Sequence, residues 1–161
     1  MLRFSKTVLM AATIIAGIAS SSFAATLSKP AQSALLAALD DEYRAEAFYA
    51  AVIDKFGAVR PFSNIINAER RHSELVGDLM AEYGIEQPEN AYSGTPETVA
   101  SVPETLAEAC RMGVEAEILN RDLYDGQLMP AVADYPDIVA VMQRLRDASE
   151  TKHLPAFRRC S

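Results

Sequence analysis

Two histidines occur in the chain, and each follows a glutamate by three positions, in Glu69-Arg70-Arg71-His72 and Glu150-Thr151-Lys152-His153. On a helix that spacing puts both side chains on one face, about a turn apart. A carboxylate and an imidazole so placed can approach a common point. Together they offer the oxygen and nitrogen donors that suit iron or manganese and that leave coordination positions open.

Two more acids interrupt apolar helical stripes, Glu42 and Glu117. The collected set is then Glu42, Glu69, His72, Glu117, Glu150 and His153. One Glu from each of two helices, with a Glu-x-x-His from each of two others, is the inventory that holds a metal pair inside a helix bundle. Several carboxylates gathered in a core repel one another unless cations join them. Two residues compete for places in this set. Glu46 lies one turn from Glu42. Glu115 lies two residues from Glu117 and points to nearly the opposite side, whereas Glu117 shares its face with Gly113 and Tyr124.

The elements that must position these residues are four long helices. Helix A is predicted over Pro30–Phe56, with Pro30 in its first turn and Gly57 as its stop. Its stripe is Leu35, Leu39, Glu42, Glu46, Tyr49, Ile53 and Phe56. Helix B starts at Pro61 and ends near Tyr83, before Gly84. Residues 85–101 lack helical periodicity and hold two prolines and a glycine. Extended, that stretch spans up to about 55 Å, more than the ~35 Å length of a helix such as B. It can therefore serve as a long crossover.

The capping-box pattern Ser101-Val102-Pro103-Glu104 predicts the start of helix C, continuing to about Leu128. Asp134-Tyr135-Pro136-Asp137 starts helix D, and Pro155 should end or kink it near His153. The expected fold is all-α: an antiparallel four-helix bundle with one long B–C crossover. A faint internal repeat supports two similar hairpins. Glu42 precedes Tyr49 by seven residues, Glu117 precedes Tyr124 by seven, and a Glu-x-x-His follows each pair one helix later. Tyr49 and Tyr124 are expected to direct their hydroxyls at ligand carboxylates.

At 161 residues, half of them apolar, the chain fits one domain with one core. Arg3 and Lys6, the apolar run Val8–Ala19 and Ser22-Phe23-Ala24 have the form of a signal peptide cleaved after Ala24. The domain proper would span residues 25–161 in a periplasmic or secreted protein, with no membrane span left. Loss of those two cations takes the formal charge from −7 to −9, which disfavours nucleic acid and anionic membrane surfaces as partners. In an oxidising compartment two cysteines favour a disulfide. With helices C and D antiparallel, Cys110 lies seven residues before Glu117 and Cys160 seven after His153, at one height in the bundle.

The pattern resembles the ferritin-like superfamily, in particular its rubrerythrin-type branch, where Glu-x6-Tyr on the first helix also occurs. Asp41-Glu42 … Tyr49, Phe56-Gly57 … Arg60-Pro61-Phe62-Ser63-Asn64-Ile65-Ile66 … Glu69-Arg70-Arg71-His72 and the ending Lys152-His153-Leu154-Pro155-Ala156-Phe157 resemble more closely the ferritin-like "domain of unknown function 2202" family. The resemblance covers residues 33–158 and implies metal positions at Glu42, Glu69, His72, Glu117, Glu150 and His153. The family itself carries no defined activity, and some members lack a Glu at the position of Glu150.

Two iron ions are the expected cofactor, with manganese as a substitute. The expected chemistry is reaction of Fe(II) with O2 or peroxide, of ferroxidase or peroxidase type. No rubredoxin-like cysteine pairs are present, so turnover would draw on an external electron donor or on Fe(II) itself. The alternative is a non-catalytic four-helix module that binds metal or a partner.

Overall fold

Ser28 opens the first helix. Its hydroxyl accepts from the Ala31 amide, and Pro30 sits in the first turn, where a missing N–H costs nothing. The computed structural model describes residues 26–161, so the expected signal peptide lies outside the described residues. Helix α1 (Lys29–Phe56) ends at Gly57, whose φ of 83° suits glycine. Helix α2 (Phe62–Glu82) follows after a short connection. The pairings Tyr49–Phe62, Glu46–Arg70 and Glu42–His72 run in opposite order along the two helices, which are therefore antiparallel.

The next connection is ordered along α1. Gln87 donates to the Tyr43 hydroxyl, Tyr92 donates to Asp40, and Glu104 pairs with Lys55. It also contains a short helix, α3 (Pro96–Ser101), that the lack of periodicity hid. Thr95 caps it, and Pro96 occupies its first turn.

Ser101 consequently ends α3 and does not begin the next helix. Helix α4 (Leu106–Leu123) is instead capped by Thr105, which accepts from the Glu108 amide. The capping box is thus one turn later than Ser101–Glu104 suggested. Helix α6 (Pro136–Ala148) starts at Pro136 as expected.

Both later helices contain a wide π-helical turn, Tyr124–Leu128 before the short α5 (Met129–Ala131) and Ser149–His153 before α7 (Leu154–Arg158). Each turn stands directly ahead of a proline, Pro130 or Pro155. A proline inside an α-helix clashes with the carbonyl four residues back and lacks the donor it needs. Opening the preceding turn accommodates both faults, so Pro155 widens the helix and does not end it.

The fold is all-α, with no strand among the described residues. Two apolar clusters make up its core. One gathers Leu35, Leu39, Val76, Met80, Ile138 and Met142, and the other Val52, Phe62, Ile66, Cys110 and Phe157. Glu42, Glu69, His72, Glu117 and His153 are also buried, and on each helical run they fall between residues of the first cluster and residues of the second. The polar side chains thus form a layer between two greasy ones.

Cys110 and Cys160 form a disulfide that ties α4 to the turn just after α7. Beside it, the Phe157 ring lies so close to Gly113 that an added Cβ would sit 2.6 Å from the ring. Phe157 is fully buried and has nowhere to retreat. Gly113→Val is therefore expected to cost about 1–3 kcal/mol through overpacking. The change should lower the urea midpoint with an unchanged slope, and Phe157→Leu in the same chain should recover part of it.

Candidate metal centre

Glu69 is the centre of the polar layer. Its Oε2 lies 3.1 Å from His72 Nδ1, and its Oε1 lies 3.1 Å from His153 Nδ1. One carboxylate thus faces both imidazoles, whose rings stack at 5.7 Å between centroids. Glu42 completes one side, with Oε2 at 3.1 Å from His72 Nδ1. Glu117 completes the other, with Oε1 at 3.5 Å from His153 Nδ1.

The tyrosines cross over. Tyr124 from the α4 run donates to Glu42 on α1 at 2.8 Å, and Tyr49 on α1 donates to Glu117 on α4 at 2.8 Å. Both hydroxyls are wholly buried, and burial followed by carboxylate repulsion pushes their pKa values well up. Each therefore remains a donor: Tyr124 fixes Glu42 Oε1 and leaves Oε2 toward His72, whereas Tyr49 holds the same Glu117 oxygen, Oε1, that faces His153.

These residues form two groups, Glu42–Glu69–His72 and Glu69–Glu117–His153. Within each, one donor atom per residue lies within 4.8 Å of the others, close enough to hold a metal ion. A separate observation favours a cation. His153 Nδ1 is buried without a hydrogen bond, because Glu69 is near enough but badly angled. A buried ring nitrogen without a partner is costly, and a metal ion among these oxygens would satisfy it. The donor set also fits, since carboxylates and imidazoles are ligands for iron, manganese and zinc alike.

Glu150 stands outside both groups. Its carboxylate pairs with Arg146, which also holds Asp125 at 2.8 Å, and its side chain is 37% exposed. The π turn accounts for this placement. Residues three apart no longer share a face when the turn widens, whereas residues four apart do. Ser149 and His153 are accordingly the buried pair of that turn. The two competitors also lie outside the groups, with Glu46 held by Arg70 at 2.9 Å and Glu115 exposed.

Three neighbours had drawn no role from the sequence. Asp41 borders the Glu117 side, where burial first and then Glu117 and Glu69 raise its pKa. Asn120 donates to Asp41 at 2.5 Å, and Ser149 lies close by. A polar Asn on the Glu117–Tyr124 face was the available signal.

Without metal, protons carry the compensating charge. Burial opposes charging of His72 and His153, but their carboxylate partners prevail and lift them to about 9 and about 10. Burial likewise opposes ionisation of Glu69, but the two imidazoles hold it at about 2. Burial raises Glu42 to about 8. Groups whose folded pKa is raised stabilise below the unfolded value and lose that contribution as pH climbs through the folded one. For both histidines that window runs from 6.5 to about 9 or 10. Glu42 acts in the same direction up to about 8. Metal-free protein should therefore lose thermal stability steadily from pH 6.5 to 10, and a melting temperature that rises over this range would contradict the charge assignment.

An all-helical protein with a buried Glu/His layer able to hold metal is the class that fold and site define. The chain matches the family described as "Uncharacterized protein domain (DUF2202)" over residues 31–160, and it belongs to that family. Among solved structures it is similar to the hypothetical protein MJ0754 from Methanococcus jannaschii DSM 2661. The TM-score is 0.70 at 21% identity, covering 83% of this chain and 80% of the other. That likeness is one of fold. No curated protein matches the chain.

Proposed function

We propose that this chain is an exported, ferritin-like four-helix protein holding two metal ions, iron in the first instance and manganese as a substitute. Its helices would be α1, α2, the α4 run and the α6–α7 run, with residues 85–101 as the crossover. The carrying observation is Glu69, whose two oxygens face two separate imidazole nitrogens and so suit a carboxylate shared between two ions. A plain salt-bridge core needs no such sharing.

Glu42 and His72 would hold one ion, Glu117 and His153 the other, and Glu69 both. Glu150 is the sixth expected donor and would have to leave Arg146 to join them. When bound, an Fe(II) pair supplies electrons for reduction of O2 or peroxide. The protein's part is positional. Tyr49 and Tyr124 lock the outer carboxylates, the apolar layers restrict water, and each imidazole gives up its proton as a cation enters.

The two cysteines are joined to each other, so continued turnover would draw electrons from an external donor. The disulfide also favours an oxidising compartment, periplasmic or extracellular. No helix among the described residues is long and apolar enough to cross a membrane.

Anaerobic Fe(II) titration with elemental analysis tests the reading. About two irons per chain are expected, with near-ultraviolet absorbance growing on exposure to air or peroxide. Glu69→Ala should abolish stoichiometric loading, Glu150→Ala should weaken it less, and Glu46→Ala should leave it intact. Stoichiometric loss of metal in none of these variants would return the protein to a non-catalytic helical module.

A further inference from the structure

The layer opens to solvent between α1 and α4 through a cleft of about 320 Å³. Its upper walls are apolar, formed by Ala45, Phe48, Met112, Ala116 and Leu119, the last 69% exposed. Its floor is polar, where Glu69, Glu117, Tyr49 and Ser149 meet Asp41 and Asn120. Apolar walls around a few convergent polar groups, at a volume near the lower end of the usual ~300–1,000 Å³, describe a small-molecule site.

One atom of that floor lacks a partner. Asn120 is 9% exposed, and its Nδ2 donates to Asp41, which fixes the orientation of the amide. Its Oδ1 is buried with no hydrogen bond. A buried acceptor in this condition calls for a donor. Arg44 in the lining is paired with Asp40, Glu69 on the floor faces both imidazoles and Asp41 accepts from Asn120, so little unpaired charge is left to hold an ionic visitor. The walls favour a flat or aliphatic body against Phe48 and the Met112 thioether.

We propose that this cleft binds a small neutral organic molecule with a ring-sized apolar body and one hydroxyl donor, a phenol being the simplest example. The hydroxyl donates to Asn120 Oδ1, and the body lies along Phe48, Met112 and Ala116. The inference rests on the metal-centre reading only for what the ligand would meet below, since binding itself needs no metal. It gives the centre an organic substrate class that approaches on the Glu117 side.

The test uses metal-free full-length protein with labelled methionine methyls, titrated with phenol, anisole and benzylamine. Phenol should shift the Met112 methyl resonance and leave Met80 and Met142, in the closed core, unmoved. Anisole has the ring without the donor and should bind on the order of tenfold more weakly. Ala116→Phe, at an exposed position, should abolish the Met112 shift while the melting temperature holds. Asn120→Ala should erase the preference of phenol over anisole.

No Met112 shift with phenol, equal binding of anisole, tighter binding of benzylamine, or a shift that survives Ala116→Phe would each overturn the proposal. Metal loading of the same preparation separates the two readings. Two irons without phenol binding sinks the cleft alone, and phenol binding without metal sinks the centre alone.

Discussion

Glu69 carries the constraint on which the rest depends. A carboxylate that is 3% exposed, with two more beside it, cannot remain ionised without positive charge close by. The two imidazoles supply that charge when protonated, and each directs Nδ1 inward to do so. The same nitrogens, once deprotonated, are lone pairs aimed at the place where the charge is needed. Protons and metal ions are thus alternative occupants of one electrostatic role.

That exchange also explains why the polar layer tolerates its position. Clusters on either side keep the backbone fixed, so the five side chains meet without spending their own interactions on holding the helices together. Apolar burial stabilises the fold and the polar layer specifies its register. A slide of α2 against α1 by one turn would separate Glu42 from His72 and leave both buried groups without their partner.

Much of this was legible in the residues. The ends of α1 and α2 follow from Pro30, Gly57, Pro61 and Gly84, whose backbone preferences are local. The acids were legible because a buried Glu in an apolar stripe is costly and the histidines because of the Glu-x-x-His spacing; Glu42, Glu69 and Glu117 converge with both histidines, and Glu150 does not. What escaped was phase. Spacing rules assume a uniform helical twist, and Pro130 and Pro155 break that assumption by opening the turns ahead of them. The second Glu-x-x-His consequently splits, with Ser149 facing the layer beside His153 and Glu150 turning to Arg146. The cleft escaped for a different reason. Its lining comes from side chains on separate helices, none unusual alone, and only their convergence leaves Asn120 Oδ1 without a partner.

The crossed tyrosines bind the two halves of the chain into one site. Each hairpin supplies a glutamate that the other hairpin's tyrosine orients, so neither half completes its own carboxylate. The faint repeat in the sequence thus becomes a near-symmetric exchange around Glu69. The symmetry stops at the surface. The Glu117 side looks into the α1–α4 cleft past Asp41 and Asn120, whereas a second cavity, between α2 and the α6 run, reaches His72 and His153 from the other face. Two ions held in such a frame would share a ligand and differ in approach: the α1–α4 cleft leads to Glu117 and Glu69, the α2–α6 cavity to the two imidazoles. A site built from equivalent halves would in that way acquire a direction.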